Sequence, residues 1–315
     1  METTPEPVAV PSALHPDLAA LVPQLTGPSP REGSPAEARR RFAALLESGL
    51  ADAPEVAVEE LDLRGGLSAR GYTPARPQGA TIVFFHGGGW TVGGVEAYDG
   101  LARRIADRTS AVVVSVEYRL APEHRFPSAV ADAVLATRWA LAQARELGGD
   151  PRRVAVAGDS AGGNLAAVVC QQLRSAGGPQ PAAQLLLYPV VASRADQPSA
   201  REFGHLPFLP LADMGWYTRQ YVPRGVRSDP RLSPLDGDLA GLPPALVVTA
   251  GCDPLHDSGV AYAAAMRAAG SPVEELDLPG MPHGFAHLVA LAPAADEALG
   301  RVLDRFADLL ASAPG

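Results

Sequence analysis

The residues whose types and spacing could do chemistry fall in four short stretches. Gly158-Asp159-Ser160-Ala161-Gly162 is a G-x-S-x-G pentapeptide. Alone it is weak, expected by chance about 0.2 times in a chain of this composition. Its setting strengthens it. Val154 to Ala157 reads as a strand, and Ala161 onward reads as a helix. A serine on so sharp a strand–turn–helix corner is exposed, and the corner needs glycine on both sides because side chains there would clash. The hydroxyl then stands at a helix N-terminus, where partial positive charge favours a developing anion. The second stretch, His86-Gly87-Gly88-Gly89-Trp90, follows the strand Thr81 to Phe85. One His before three Gly should arise by chance only about 0.007 times. Such a loop can aim backbone N–H groups at a ligand oxygen, as an oxyanion hole does. A phosphate loop would want a lysine, and the chain has none.

A serine nucleophile needs a base, and the base needs a carboxylate to fix its tautomer. The order Ser…Asp…His is expected on a doubly wound hydrolase sheet. Asp253 follows the strand Ala245 to Thr249, and His283 follows the strand Val273 to Leu278. Both therefore reach the strand ends that also carry Ser160. Asp257 and His287 are their competitors, each four residues further on. The remaining histidines His15, His124, His205 and His256 lack that strand-end context. No His/Cys/Asp/Glu cluster has metal-ligand spacing, so neither metal nor cofactor is expected.

The elements that must hold these residues are legible in the periodicity. From residue 80, apolar β-branched runs alternate with helical stretches at 97–109, 128–147 and 160–175. That pattern implies an α/β fold with a mostly parallel sheet covered on both faces. Residues 56–72, around Gly65-Gly66, read as a β-hairpin, and 295–312 as a closing amphipathic helix. The first ten residues carry prolines and read as frayed. Helices are expected over 12–22 and 34–49, the latter opened by Ser34-Pro35. The segment 191–235, rich in Pro, Arg and Asp, breaks the rhythm, with a helix expected around 211–222. An excursion of that length reads as a lid or binding element.

Composition excludes several classes. The 315 residues hold 26 basic and 35 acidic side chains, a formal charge of −9, so there is no electrostatic footprint for nucleic acid. No apolar run approaches a membrane span. The N-terminus has no basic and apolar succession like that of a secretory signal. Two cysteines, Cys170 and Cys252, cannot make a disulfide framework. A cytoplasmic protein, monomer or homodimer, is expected.

Taken together, His86-Gly87-Gly88-Gly89-Trp90, Tyr118-Arg119-Leu120-Ala121-Pro122-Glu123, Gly158 to Gly163, Asp253-Pro254-Leu255 and His283-Gly284-Phe285 resemble the bacterial hormone-sensitive-lipase-like esterases of the α/β-hydrolase fold. The resemblance spans roughly 35–312. It implies a sheet of about eight strands, a Ser160–His283–Asp253 triad, and oxyanion N–H groups from Gly88, Gly89 and Ala161. It also implies a cap from residues 1–50 and 191–225, over a core of 51–190 and 226–315. His256 stands where the family suggests a larger basic residue, and Cys252 before the acid is unusual. The substrate implied is a small-molecule ester with a short to medium acyl chain. An amide, lactone or carbamate, or a ligand-binding relative without catalysis, are the alternatives. Trp90, Phe208, Leu209, Trp216 and Phe285 are the candidate pocket lining. The 118–123 stretch is expected to be a structural loop, with Arg119 and Glu123 satisfying buried partners.

Overall fold

The computed structural model describes residues 10–312 except Thr26, Arg64 and Arg227; residues 1–9, expected to be frayed, lie outside it. Eight strands, β1 (Ala57–Asp62), β2 (Ser68–Thr73), β3 (Thr81–Phe85), β4 (Val112–Val116), β5 (Val154–Asp159), β6 (Gln184–Leu187), β7 (Ala245–Cys252) and β8 (Val273–Pro282), form one sheet. Its order is β1-β2-β4-β3-β5-β6-β7-β8. β1, β2 and β4 pair antiparallel, and every pairing from β4 through β8 is parallel. The helices are α1 (Pro16–Ala19), α2 (Pro35–Gly49), α3 (Asp99–Thr109), α4 (Ser128–Gln143), α5 (Ala161–Ser175), α6 (Pro198–Phe203), α7 (Leu211–Tyr221), α8 (His256–Ala268) and α9 (Pro293–Ser312).

The central strands are buried on both faces, and their alternation sorts side chains into two cores. Ile82 and Phe84 of β3 join Val113, Ala155 and Ala157 on the face packed by α3 and α9. Val83 and Phe85 join Val114 and Val156 on the other, under α4 and α5. Period-two alternation makes this inevitable once the strands are parallel and covered. Parallel pairing also gathers the carboxyl ends of β3, β5, β6, β7 and β8 along one edge, where crevices for ligands form.

Several boundaries differ from expectation for local reasons. The helix expected over 12–22 is one turn, α1, followed by a 3₁₀ turn at Val22–Gln24; Pro23 removes a donor where a longer helix would need it. α2, by contrast, runs from Pro35 to Gly49 with Ser34 as its N-cap, as expected, and Ser34 and Glu37 form a reciprocal capping box. α4 ends at Gln143, short of 147. The 191–235 excursion holds two helices, α6 and α7, rather than one. β8 runs to Pro282, past the expected end at Leu278. Its pairing with β7 is irregular, Ala250 opposite Leu278 and Cys252 opposite Pro282, so the strand bends there and continues to the loop carrying His283.

Candidate active site

The corner at residue 160 is strained as the sequence requires. Ser160 has φ 53° and ψ −115°, a region side chains rarely occupy. A Cβ at Gly162 would collide with the Phe85 carbonyl oxygen, and one at Gly158 with the Gly162 backbone. Three backbone bonds hold the corner: Ser160 N–H to Leu187 O at 2.8 Å, and Val190 N–H and Asn164 N–H to Ser160 O at 3.1 and 3.0 Å. A serine at a helix N-cap ordinarily caps with its hydroxyl. Here it makes no capping bond. Ser160 Oγ instead lies 2.9 Å from His283 Nε2.

His283 Nδ1 is 2.7 Å from Asp253 Oδ2. The other oxygen of Asp253, a fully buried residue, accepts the Leu255 N–H at 2.8 Å. The aromatic ring of Tyr188 meets the imidazole edge-on at 4.9 Å. The imidazole is thereby held with Nδ1–H on the carboxylate and its Nε2 lone pair on the hydroxyl. This is the arrangement that lets a serine lose its proton as it attacks a carbonyl.

The loop 86–91 lies beside it. Gly88, Gly89 and Trp90 all have positive φ, 98°, 57° and 56°. The loop closes on itself through Thr91 N–H and Val92 N–H to Gly88 O, at 3.0 and 2.9 Å. Among the described residues, no backbone carbonyl takes the N–H of Gly88 or Gly89. Ala161 is the first residue of α5, so no intrahelical bond uses its N–H either. A Cβ on Gly89 would run into the ring of Tyr217 on α7, so glycine is required there by packing as well as by φ. His86 does structural work. It is fully buried, its Nδ1–H donates to Gly87 O at 2.7 Å, and it stacks on Tyr118 at 4.2 Å. Burial pushes its pKa down, so the ring stays neutral.

The 118–123 loop supports this one from behind. Tyr118 O–H donates to His86 O at 2.8 Å, and Ala121 N–H to Trp90 O at 2.8 Å. Arg119 clamps the buried Asp132 through both oxygens, as expected. Glu123 corrects expectation: it is more than half exposed and pairs with the half-buried Arg39 of α2.

Ser160 and His283 open into a cavity of about 160 Å³. Of the expected lining residues, Trp90, Phe208 and Leu209 are in its wall. Trp216 and Phe285 are not. Trp216 turns away from the cavity and packs with Ala38 and Val92, while its neighbour Tyr217 and Met214, a turn earlier, face in. One residue along a helix is a rotation of about 100°. Phe285 is fully buried beneath the site, edge-on to Tyr188 at 5.3 Å. Sequence reasoning missed Leu25, Phe42 and Leu45, which extend the wall from the N-terminal segment.

The competitors have other partners. Asp257 accepts the Ser199 N–H at 2.9 Å and pairs with His256 at 3.0 Å, and His256 also reaches Asp277 at 3.3 Å. His287 pairs with Asp159, not with Ser160. Cys170 and Cys252 are both unpaired and buried. Among the described residues, no group of three or more His, Cys, Asp or Glu side chains is arranged to hold a metal ion, and no helix is long and apolar enough to cross a membrane.

An eight-stranded, mostly parallel sheet with flanking helices and a strained strand–helix corner at its carboxyl edge places the chain in the α/β-hydrolase class. Comparison with known proteins agrees. The family described as having the alpha/beta hydrolase fold matches residues 82–287. Carboxylesterase NlhH of Mycobacterium tuberculosis is 43% identical over 261 residues, covering 79% of this chain and 82% of that relative. An ethyl acetate hydrolase of Pseudomonas putida is 39% identical over 315 residues, covering 93% and 98%. Among solved structures, the ester hydrolase EH1AB1 from the metagenome of Lake Arreo superposes with a TM-score of 0.90 at 36% identity, over 95% of this chain and 100% of that one. The chain belongs to the hormone-sensitive-lipase-like family of α/β hydrolases, and it is a carboxylic ester hydrolase.

Proposed function

We propose that Ser160 is the nucleophile, His283 the general base and then acid, and Asp253 the residue that fixes and stabilises the imidazolium. Ser160 Oγ attacks the ester carbonyl while its proton passes to His283 Nε2. The carbonyl oxygen becomes an oxyanion, held by the N–H groups of Gly88, Gly89 and Ala161. Collapse expels the alcohol, which takes the proton from His283. A water deprotonated by His283 then attacks the acyl-enzyme and releases the acid, regenerating Ser160. The observation that carries this reading is the unbroken chain from Ser160 Oγ through His283 to Asp253, at 2.9 and 2.7 Å.

The substrates are small esters with short to medium acyl chains. A relative named for ethyl acetate supports the short end, as does the cavity of about 160 Å³. An apolar cavity of roughly 150 Å³ accommodates a guest the size of benzene. The helices before residue 50 and the 191–225 segment act together as a cap: both contribute to the cavity wall, and Ala38 of α2 packs with Trp216 of α7. The two unpaired cysteines fit a cytoplasmic setting.

The test is Ser160→Ala. Its kcat on nitrophenyl acetate should fall on the order of 10⁶-fold with melting temperature unchanged. A purified variant retaining more than a few per cent of activity would remove Ser160 from the mechanism.

A further inference from the structure

The mechanism leaves one buried charged group beside the nucleophile unused. Asp159 ends β5 immediately before Ser160 and is fully buried. Its Oδ1 accepts the Gly87 N–H at 2.7 Å. Its Oδ2 accepts the Tyr98 O–H at 3.2 Å and meets His287 Nε2 at 3.0 Å. The Gly87 bond spans 72 residues and ties the glycine loop directly to the nucleophile's own turn. A side chain at Gly87 would strike both Asp159 and the Tyr98 hydroxyl, so the junction has no slack.

The charge balance is equally specific. Among the described residues, His287 is the only basic side chain within ion-pair distance of Asp159. Burial, and then the Asp159 charge, hold the Tyr98 phenol well above its ordinary pKa, so it remains an O–H donor. A buried carboxylate without donors is costly, and bare negative charge next to Ser160 would oppose a developing oxyanion. His287 faces the cavity that holds Ser160, with its ring edge-on to Tyr98 at 5.1 Å and to Phe42 of α2 at 6.0 Å. It therefore covers the carboxylate on the cavity side and meets the cap.

We propose that Asp159 and His287 form a second His–Asp pair that moves no proton in the reaction and instead positions the oxyanion loop against the nucleophile. Asp159 sets the distance from the loop to Ser160. His287 donates its Nε2–H to the carboxylate and so holds its orientation. The inference rests on the reading of Gly88 and Gly89 as oxyanion donors. A misplacement of about 1 Å at reacting groups can cost roughly 10²-fold in rate, so positioning through one bond is enough to matter.

The experiment compares Asp159→Asn, His287→Leu and His287→Gln, counting active sites by fluorophosphonate stoichiometry. kcat and KM are measured per active site on nitrophenyl acetate. Binding of a trifluoromethyl ketone, which becomes an oxyanion when Ser160 adds to it, is compared with binding of a product alcohol, which does not. For His287→Leu, kcat and ketone affinity should fall together by about 10- to 100-fold. KM and alcohol affinity should stay within about threefold of wild type, because ground-state binding does not use the oxyanion donors. His287→Gln, whose amide keeps a donor toward Asp159, should recover most of the loss. If His287→Leu does not fold, Asp159→Asn carries the test, since it keeps shape but replaces one accepting oxygen with an NH2 that cannot accept from Gly87, or from Tyr98 and His287; a parallel loss of about tenfold is expected. Wild-type kcat per active site in the folded variants, or a lower kcat with unchanged ketone affinity, overturns the pair. Ser160→Ala, run alongside, separates the two readings: if it is inactive while these variants match wild type, only the Asp159–His287 proposal falls.

Discussion

The floor of the cavity and its roof are held by different means. The floor is backbone: the Ser160 corner, the Gly88–Trp90 run of positive φ, and the ends of β7 and β8. Gly88, Gly158 and Gly162 are there because a Cβ would meet main-chain atoms that cannot move, those of Val92, Gly162 and Phe85 respectively. The roof is side chain: Leu25, Phe42, Leu45, Phe208, Leu209, Met214 and Tyr217, carried on short helices and loops. It is pinned by ion pairs at its margins, Arg39 to Glu123 at 2.6 Å and Arg31 to Asp213 at 3.3 Å. The Arg39–Glu123 pair, with its carboxylate in solvent, contributes only about 0–1 kcal/mol, while the buried Asp213 also accepts the Ser29 hydroxyl. Chemistry that tolerates little displacement sits on the part that cannot shift. Substrate fit sits on the part that can be altered one side chain at a time.

The largest effect that separates floor from roof is expected at the two histidines. His283→Asn should lower kcat by roughly 10⁴- to 10⁶-fold, as loss of a triad base does. His287→Asn should cost no more than about 10²-fold, since it positions and does not transfer the proton. Reversed losses on nitrophenyl acetate would exchange their roles. Next comes Gly162→Ala. Overpacking against fixed backbone typically costs about 1–3 kcal/mol and sometimes more, so the variant should melt several degrees lower and lose activity. Phe208→Ala, in the partly exposed roof, should shift the melting temperature far less. Equal shifts in the two variants would erase the distinction between the regions.

A smaller change is expected in specificity. Phe208→Ala or Leu209→Ala should move the acyl-chain optimum upward, changing relative kcat/KM between chain lengths by about 10- to 200-fold. A uniform loss across chain lengths with a lowered melting temperature would make these residues packing alone. The smallest effect is at Cys252, beside Asp253. Burial pushes its thiol up to about 11. Below that pH the group is the unreactive thiol and not the thiolate. Iodoacetamide at pH 8 should therefore leave both mass and activity unchanged. Alkylation at Cys252 with inactivation would show a far more open floor.

The same contrast explains what the sequence disclosed. Gly87-Gly88-Gly89 and Gly158-x-Ser160-x-Gly162 are legible because the backbone there admits almost nothing else, and Asp253 and His283 because strand ends in a parallel sheet converge. Tyr217 and Trp216 were not separable, since an amphipathic helix reads alike whether its apolar side faces a core or a cavity. Phe42 and Leu45 were hidden for the same reason. The continuation of β8 through Pro279, Gly280 and Pro282 was masked by residues that ordinarily end strands. The Asp159–His287 pair left no local signal, because it joins a strand end to a turn 128 residues later.

Mapping a fluorophosphonate adduct by peptide mass spectrometry tests the central claim most directly. The reagent forms a stable bond only with an activated serine whose oxyanion is supported. One adduct per chain, on Ser160, with none on the Ser160→Ala variant, is the result expected. An adduct on another serine, or a fully active enzyme that takes up no label, would contradict the account.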